Sequence, residues 1–273
     1  MMRTLLLLPA LLFLAQPLYA QIIDIAGSTT VMAFMEPAAQ AYRRMHPEVT
    51  INIRGGGSGA GAASVMDGRA MLGMMSREPE EPELARMHGI ERVRVGYDAV
   101  AVVVSSAVYR SLPGHALSRG DVAAIYRGEV RNWQAVGGPD RRIITVDKVK
   151  HSGTRYVFVN YVLSDPHAAW ATDSVIVDSN GEMETLVQIS DQAIGFLPFG
   201  GTDRHLHAIG LMDQGRLFFP DAAHVRDGSY PLSRSLYVLH KKKVPDYARD
   251  FIAFLLSAEG QKILSASGYL PVK

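Results

Sequence analysis

Three short segments of the chain bring glycine together with serine or threonine between a strand-like run and a helix-like run. They are Gly27 to Thr30, Gly55 to Gly61 and His151 to Thr154. The first turn of a helix exposes unpaired N–H groups and carries partial positive charge, so each segment could bind an anion. Glycine lets the backbone approach a ligand closely, and hydroxyls add rotatable donors. One such segment usually serves only to cap its helix, whereas three in one chain indicate a shared anion site.

The elements that must position these segments alternate along the chain between strand-like and helix-like runs. Strand-like runs cover residues 22–26, 49–54, 71–75, 143–146, 193–197 and 236–240, and helix-like runs cover residues 31–45, 182–189, 246–256 and 258–267. Such alternation predicts an α/β fold of mostly parallel sheets covered by helices on their faces. Because the carboxyl ends of parallel strands lie at one edge of a sheet, we expect the three segments to meet there.

Two elements have limits that the sequence leaves open. Pro37 interrupts the first helical pattern, so this helix either kinks there or begins just before the proline. Residues 93–96 and 100–105 are strand-like, and Tyr97 and Asp98 lie between them. We therefore expect two separate strands in this region.

The first twenty residues have the pattern of a secretory leader. Arg3 precedes the apolar run from Leu5 to Leu14, and Pro17 and Ala20 follow it. The run is too short to be a stable membrane anchor. The pattern predicts export and cleavage after Ala20.

Composition limits the partners of the mature chain. Arg3 is the only charged residue of the leader, so 27 of the 28 basic residues remain against 27 acidic ones. A neutral chain without a basic block favours neither a nucleic acid nor a membrane surface as partner. The sequence contains no cysteine, so the core must hold the fold without disulfides and no lipid can be attached to an N-terminal cysteine. These features predict a freely soluble protein of the periplasm.

Other kinds of site have weaker support. Gly57 to Ala62 fits a relaxed dinucleotide fingerprint, but Ser76 and Arg77 stand where a nucleotide site would need an acid. The chain lacks the Gly-x-Ser-x-Gly elbow of a serine hydrolase in its strand-to-helix context. His205 and His207 have no third ligand nearby, so we expect exposed strand histidines and not a metal site. The sequence thus predicts neither an enzyme nor a cofactor.

The order and spacing of many segments resemble the phosphate-binding proteins of ABC importers, over nearly the whole mature chain. These segments are Ala26 to Val31, Gly55 to Gly61, Ser76-Arg77, Gly96 to Asp98, Ile125 to Gly128, Asn132-Trp133, Val136 to Gly138, Ser152 to Arg155, Asp227 to Arg234, Ser257 to Gln261 and Gly268 to Val272.

The resemblance implies a two-lobed type II periplasmic binding protein fold with the ligand in a cleft between the lobes. One lobe would contain residues 21–97 and 198–273, and the other residues 98–197. The implied function is the capture of inorganic phosphate for a permease in the inner membrane, by a monomer that closes around its ligand. The alternatives are another tetrahedral oxyanion, such as arsenate, sulfate or molybdate, or phosphate sensing by the same fold.

The resemblance also assigns ligand contacts to positions of this sequence. The implied donors and cations are Thr29, Thr30, Ser58, Ser76, Arg77, Lys148, Ser152, Gly153 and Thr154. Lys148 stands where many relatives have an arginine, which keeps the charge but loses the forked geometry. His151 replaces a residue that is usually glycine, and it is expected at the rim of the cleft, either as a spectator or as an extra donor when protonated.

Asp98 is the implied residue that selects the ligand. An ionised carboxylate can only accept hydrogen bonds, so it is unfavourable beside an anion unless that anion carries a hydrogen. Phosphate retains a P–OH group at neutral pH and sulfate does not, so Asp98 would favour phosphate and repel sulfate. The alternative role is that Asp98 caps a turn after Tyr97.

Overall fold

The computed structural model of the protein describes residues 21–165, 167–168, 170, 173–201 and 206–272. The strands are β1 (Gln21–Gly27), β2 (Val49–Arg54), β3 (Leu72–Met75), β4 (Ile90–Val104), β5 (Ala116–Ser118), β6 (Ile144–Lys148), β7 (Val175–Val177), β8 (Ala193–Pro198), β9 (His207–Ala208), β10 (Gly210–Asp213), β11 (Arg216–Phe218) and β12 (Ser233–Lys241). The predicted leader and His205 lie outside the described residues.

The helices complete the alternation that the sequence predicts. They are α1 (Thr29–Met45), α2 (Gly57–Met66), α3 (Glu81–Leu84), α4 (Ser106–Ser111), α5 (Arg119–Tyr126), α6 (Gly153–Leu163), α7 (Asn180–Ile189), α8 (Ala222–Arg226), α9 (Asp246–Leu256) and α10 (Ala258–Ala266). Short 3-10 turns cover Pro113–His115, Trp133–Val136 and Phe199–Gly201. Within the described ranges, no helix has both the length and the apolar composition needed to cross a membrane.

The main sheet joins its strands in the order β2-β1-β3-β12-β4-β8-β6-β7, and β9 pairs with β4 beside this path. The pairs at the two ends are parallel, as the α/β pattern predicts. The two strands in the middle, β12 and β4, run antiparallel to each other and to their other neighbours in the sheet. A smaller sheet joins β11, β10 and β5.

The strand β4 is continuous, and the expectation of two strands separated at Tyr97 and Asp98 was wrong. The ladder with β12 runs through this point, where Ser235 pairs with Tyr97 and Arg234 with Asp98. Tyr97 also exchanges both of its backbone hydrogen bonds with Leu270, at 2.8 and 2.9 Å. These partners are distant in sequence, so the residues beside Asp98 carry no local sign of them.

The helix α1 keeps Pro37 inside it and begins at Thr29, not just before the proline. A proline removes the hydrogen bond to the carbonyl four residues earlier, here that of Ala33. Both Ala33 and Pro37 are exposed, so this carbonyl faces solvent and its loss of a partner costs little. The proline therefore does not prevent α1 from beginning at Thr29, directly after β1.

Apolar side chains form two large clusters on different parts of the main sheet. One contains buried residues of β1, β3, α1, α9 and α10, with Phe34 and Phe251 among them. The other contains β4 from Ala99 onward, α5, α6 and β8, and it continues through the later chain to Leu232. A third, smaller cluster packs α2 against Met75 and β12. The segment after Pro198 thus packs first with the second cluster, and the chain returns to the first at β12.

Glycine allows α2 to lie directly on the strands β1 and β3. A side chain at Gly61 would meet the carbonyl oxygen of Met74 at 2.6 Å and that of Ala26 at 3.0 Å. Gly27, at the end of β1, has a φ of +134°, and a side chain there would meet the Met74 carbonyl oxygen at 2.3 Å. The close approach brings the first turn of α2 to the edge where β1 ends.

We expect Gly27→Ala to lower the free energy of unfolding by at least about 2 kcal/mol, because the backbone conformation is strained for alanine and the new methyl group meets backbone. Urea denaturation measures the effect. Gly89→Ala is the matched control, since Gly89 also has positive φ (+77°) but open space around it, and it should cost only about 1 kcal/mol. Equal losses in the two variants would contradict this account of the packing.

Candidate anion-binding site

The three glycine- and hydroxyl-containing segments meet at one place, as the sequence predicts for strand ends in an α/β sheet. The Oγ1 atoms of Thr30 and Thr154, from the starts of α1 and α6, lie 3.2 Å apart. Ser58 in the first turn of α2 lies 3.4 Å from Ser76, Oγ to Oγ. The Ser28 hydroxyl donates to Ser76 Oγ at 2.9 Å. All five residues are buried. We call this group the hydroxyl cluster.

Gly153 lets the start of α6 reach the start of α2. A side chain at Gly153 would lie 2.1 Å from Ser58 Oγ and 2.7 Å from Ser76 Oγ. The neighbouring backbones also touch, since the Gly59 N–H donates to the His151 carbonyl oxygen at 3.2 Å. His151 itself is exposed and lies against the glycine segment, which is the predicted rim position.

Two of the serines act as helix caps. The Ser28 hydroxyl accepts the Val31 N–H at 3.4 Å, and the Ser152 hydroxyl accepts the Arg155 N–H at 3.3 Å. Capping uses an acceptor lone pair and leaves the hydroxyl hydrogen available for another bond, as in the donation from Ser28 to Ser76. Thr29, the first residue of α1, is half-buried and lies against Gly55 at the mouth of the cluster.

Arg234 on β12 is the residue that joins the hydroxyl cluster together. Its Nη1 donates to Thr154 Oγ1 at 3.0 Å, and more weakly to the Ser76 carbonyl and hydroxyl oxygens at 3.3 and 3.4 Å. Its Nη2 donates to Thr30 Oγ1 at 3.2 Å. The side chain is only 2% exposed. A buried guanidinium therefore contacts hydroxyls that come from the ends of three different strands.

Asp98 compensates the charge of Arg234. Its Oδ2 accepts from Arg234 Nε at 3.0 Å and from Nη2 at 2.6 Å. Its Oδ1 accepts the Gly200 N–H at 3.2 Å. Because Asp98 lies inside β4 and bonds in this way, it does not cap a turn after Tyr97. The carboxylate instead faces the guanidinium at the centre of the cluster.

Lys148, at the end of β6, reaches the same place from the other side. Its Nζ donates to Asn180 Oδ1 at 2.9 Å, and Asn180 Nδ2 donates to Thr30 Oγ1 at 3.2 Å. Burial, followed by the positive charge of Arg234, lowers the pKa of Lys148 to about 7. Lys148 thus lies beside the hydroxyl cluster and is linked to it through an amide.

Arg77 does not join the hydroxyl cluster, although it follows Ser76 directly. Its Nη1 and Nη2 donate to the two carboxylate oxygens of Glu83, at 2.6 and 2.8 Å. Its guanidinium carbon also lies 4.8 Å from the centre of the Tyr156 ring. Both terminal nitrogens of Arg77 therefore already donate to a carboxylate, and the role of Arg77 as a ligand contact stays a prediction.

Sequence reasoning missed two residues of the site, Arg234 and Asn180. Arg234 belongs to a segment that matches the phosphate-binding proteins, and this match was the one signal that could have pointed to it. Asn180 begins α7 directly after its cap, Ser179, and has no local signal. Both contacts join residues far apart in the chain, so spacing alone cannot reveal them.

Electrostatics at this place favour an anion. Arg234 and a protonated Lys148 are both buried beside the hydroxyl cluster, and the carboxylate of Asp98 is bonded to Arg234. The nearby carboxylate of Asp147 forms an ion pair with Arg155, at 3.0 Å.

Across the described ranges, no group of three or more His, Cys, Asp or Glu could hold a metal ion. His207 lies in a strand as expected, but the expectation that it is exposed was wrong, because the residue is half-buried and its ring stacks on Tyr109 at 4.3 Å between ring centres.

The fold and this site correspond to a known class of protein. The sequence profile of the PBP superfamily domain matches residues 15–259, so the chain belongs to this superfamily of solute-binding proteins. The match confirms the α/β periplasmic binding protein fold expected from the sequence.

The relatives confirm the resemblance to phosphate-binding proteins of ABC importers. The phosphate-binding protein PstS of Bacillus subtilis is 28% identical over 253 residues, which cover 92% of this chain and 80% of that protein. The crystal structure of an ABC-type phosphate transport receptor from Vibrio cholerae is 33% identical with a TM-score of 0.73, covering 91% of this chain and 99% of the receptor. A Clostridium perfringens protein, assigned to phosphate ABC transport and solved with bound phosphate, is 30% identical with a TM-score of 0.83, covering 93% of this chain and 100% of that protein.

We expect Arg234→Met to lower the free energy of unfolding by about 3–5 kcal/mol, because it leaves the Asp98 carboxylate buried without its partner. Arg69→Met is the control, since Arg69 forms an ion pair with Asp67 that is largely exposed, and it should cost less than about 1 kcal/mol. Denaturant titration of both variants gives the comparison. A loss as small for Arg234 as for Arg69 would mean that the buried pair does not hold the site together.

Proposed function

We propose that this protein is an exported solute-binding protein that captures inorganic phosphate for an ABC importer. The observation that carries the proposal is the buried arginine, Arg234, bonded to hydroxyls from three strand ends and to one carboxylate. A small tetrahedral anion needs donors from several directions, and converging helix starts supply them. The names of the relatives support phosphate as the ligand and ABC transport as the process. The partner in this proposal is the permease of that importer in the inner membrane.

We propose that the ligand contacts come from the hydroxyl cluster and the backbone around it. The donors are Thr29, Thr30, Ser58, Ser76, Ser152, Gly153 and Thr154, with Lys148 as a second cation. Arg234, and not Arg77, supplies the forked guanidinium in this proposal. The reason is that Glu83 already fills the fork of Arg77, while Arg234 faces hydroxyls that could reorient toward an anion.

Asp98 provides the selection against fully ionised oxyanions. Each carboxylate oxygen has two lone pairs, and the bonds to Arg234 and Gly200 leave acceptor capacity on Oδ1. A P–OH group can donate to it, whereas sulfate has no hydrogen to offer. Arsenate shares the shape and the protonation of phosphate, so this site is expected to discriminate poorly between these two anions.

Binding without catalysis fits the chemistry of the cluster. A serine or threonine nucleophile needs a base to take its proton. The hydroxyls of the cluster are bonded to a guanidinium and to each other, and Asp98 is bonded to the same guanidinium. We therefore propose a binding protein and no enzyme. Phosphate sensing by the same site is the second candidate.

We propose two lobes that close on the ligand, with the protein acting as a monomer in the periplasm. The two large apolar clusters suggest two lobes, and the chain passes between these lobes along the paired strands β4 and β12. The apolar residues up to Leu232 pack with the second cluster, so we place the return to the first lobe at Ser233 and not at residue 198. Contacts between the starts of α1, α2 and α6 would then hold the closed form that a permease recognises.

Phosphate should raise the melting temperature of the ligand-free protein, and equal concentrations of sulfate should not. At a phosphate concentration about 100 times its Kd, mass action stabilises the folded state by about 2.7 kcal/mol. Differential scanning fluorimetry after extensive dialysis, with phosphate removal verified, provides the measurement. If the verified ligand-free protein shows no response to phosphate, the proposed ligand is wrong.

Asp98→Asn should reduce the preference for phosphate over sulfate by at least about tenfold, because the amide can donate to an oxygen that the carboxylate repels. Titration calorimetry with both anions gives the ratio of the two Kd values. Asp121→Asn, at a helix cap remote from the cluster, is the control and should keep the original ratio. Unchanged selectivity in the Asp98 variant would remove this residue from the selection of the ligand.

A further inference from the structure

Lys148 is buried in a place that offers it a neutral partner. Its side chain is among the largest that are less than 2% exposed. The hydrogen bond of its Nζ goes to the amide oxygen of Asn180. The nearest carboxylate in the sequence, Asp147, is bonded to Arg155 through both of its oxygens, at 3.1 and 3.0 Å. A lysine held this way has lost most of its hydration without gaining a direct ion pair.

The charges that face Lys148 come from several elements and differ in sign. From β12, Arg234 opposes a positive charge on the lysine. From α7 and the turn before it, Glu182 and Asp178 favour that charge, as does Asp147 on β6. The Glu182 carboxylate, however, is engaged by backbone N–H groups at the start of α7, including that of Asp178 at 2.7 Å.

The nearby ion pairs do not reverse this balance. Arg155 on α6 and Asp147 form a buried pair of their own, and Asp98 on β4 is paired with Arg234. Among the charges acting on Lys148, the repulsion from Arg234 is the largest, and burial acts in the same direction. Both effects disfavour the protonated lysine while no anion lies between the two cations.

An anion between Lys148 and Arg234 would change the sign of the local field. It would attract both cations and screen one from the other. We propose that Lys148 is the residue that adjusts the charge of the site, taking up a proton as the anion enters, so that anion capture above neutral pH is coupled to proton uptake by the protein. The inference rests on the proposed function and adds a determinant of affinity to it.

The direction of the pH dependence follows from the ligand-free state. Burial lowers the pKa of Lys148 to about 7 in that state, and a bound anion raises the pKa again because it stabilises the charged form. Below pH 7 the proton is already in place and binding takes up none. Above pH 7 the lysine is mostly neutral and must be protonated on binding, so affinity falls by up to about tenfold per pH unit until the pKa of the bound form is reached.

The test compares phosphate binding by the full mature protein and by Lys148→Arg, since arginine keeps its proton at every accessible pH. Phosphate itself changes ionisation near neutrality, so the quantity to follow is the ratio of the two Kd values and not either value alone. Titration calorimetry from about pH 6 to about pH 9 should show the wild-type Kd rising relative to that of Lys148→Arg, by about tenfold or more over this range. A ratio that does not change with pH would overturn the inference.

Proton counting provides a second readout of the same event. Calorimetry near pH 8 in buffers of different ionisation enthalpy should give up to about one more proton taken up by the wild type than by Lys148→Arg. Lys150→Arg is the matched control, because Lys150 lies two residues further on and is exposed, and it should behave as the wild type does. Equal proton counts in wild type and Lys148→Arg would count against the proposal.

A measurement without phosphate separates this inference from the proposed function. NMR of the lysine side-chain carbons in the ligand-free protein, with Lys148 assigned through its arginine variant, should show one lysine titrating near pH 7. If Lys148 titrates at the ordinary value of about 10.4 and phosphate binding is normal, this inference is wrong and the proposed function still stands. If no variant and no pH gives phosphate binding, the proposed function fails and the coupling fails with it.

A second variant covers the case in which arginine does not fit the buried position. Asn180→Asp places a carboxylate beside Lys148 Nζ and should keep the lysine protonated. This variant is expected to bind phosphate more weakly at every pH, because it adds a negative charge to the site, but its proton uptake above pH 7 should disappear. Proton uptake equal to that of the wild type would show that Lys148 is not the group that titrates.

Discussion

The buried ion pair between Arg234 and Asp98 is the constraint on which the rest of the site depends. The two residues lie opposite each other on β12 and β4, the antiparallel strands in the middle of the sheet. Two charges withdrawn from water are tolerable only when their geometry is satisfied. A shift in register between the two strands would turn one of these side chains to the other face. The strand register and the position of the guanidinium are therefore linked.

Once Arg234 is in place, the helix starts can be arranged around it. Glycine at positions 61 and 153 allows α2 and α6 to come within contact distance of their neighbours, where a single methyl group would collide. Serine caps α1 and α6, and the threonine two residues after each cap accepts a hydrogen bond from the guanidinium. Capping of the helix and contact with Arg234 are thus performed by neighbouring residues of the same turn.

The cations near the cluster differ in how their charge is balanced. Arg77 is matched by Glu83, and Arg155 is matched by Asp147. Among the described residues, Lys148 Nζ donates to the amide oxygen of Asn180, and the charge of Arg234 acts on it. Permanent charges that are already paired hold the structure, whereas a lysine without such a partner can gain or lose a proton at little cost. In our proposal, this difference allows Lys148 to take up a proton together with the anion, which an arginine at the same position could not do.

The alternation of strands and helices, the three helix starts and the kind of ligand they suit could be predicted from the amino-acid sequence, because those properties depend on neighbours a few residues apart. The segments shared with phosphate-binding proteins also pointed to Asp98 and Lys148, which the structure brings to the hydroxyl cluster. Three features became visible only in the folded chain: β4 runs unbroken through Asp98, Arg234 rather than Arg77 contacts the hydroxyls, and Asn180 accepts a hydrogen bond from Lys148. Each of these features depends on which distant group completes a hydrogen bond or neutralises a charge. For Arg234 and Asp98 that group lies 136 residues away, and short-range patterns carry no information about such a partner.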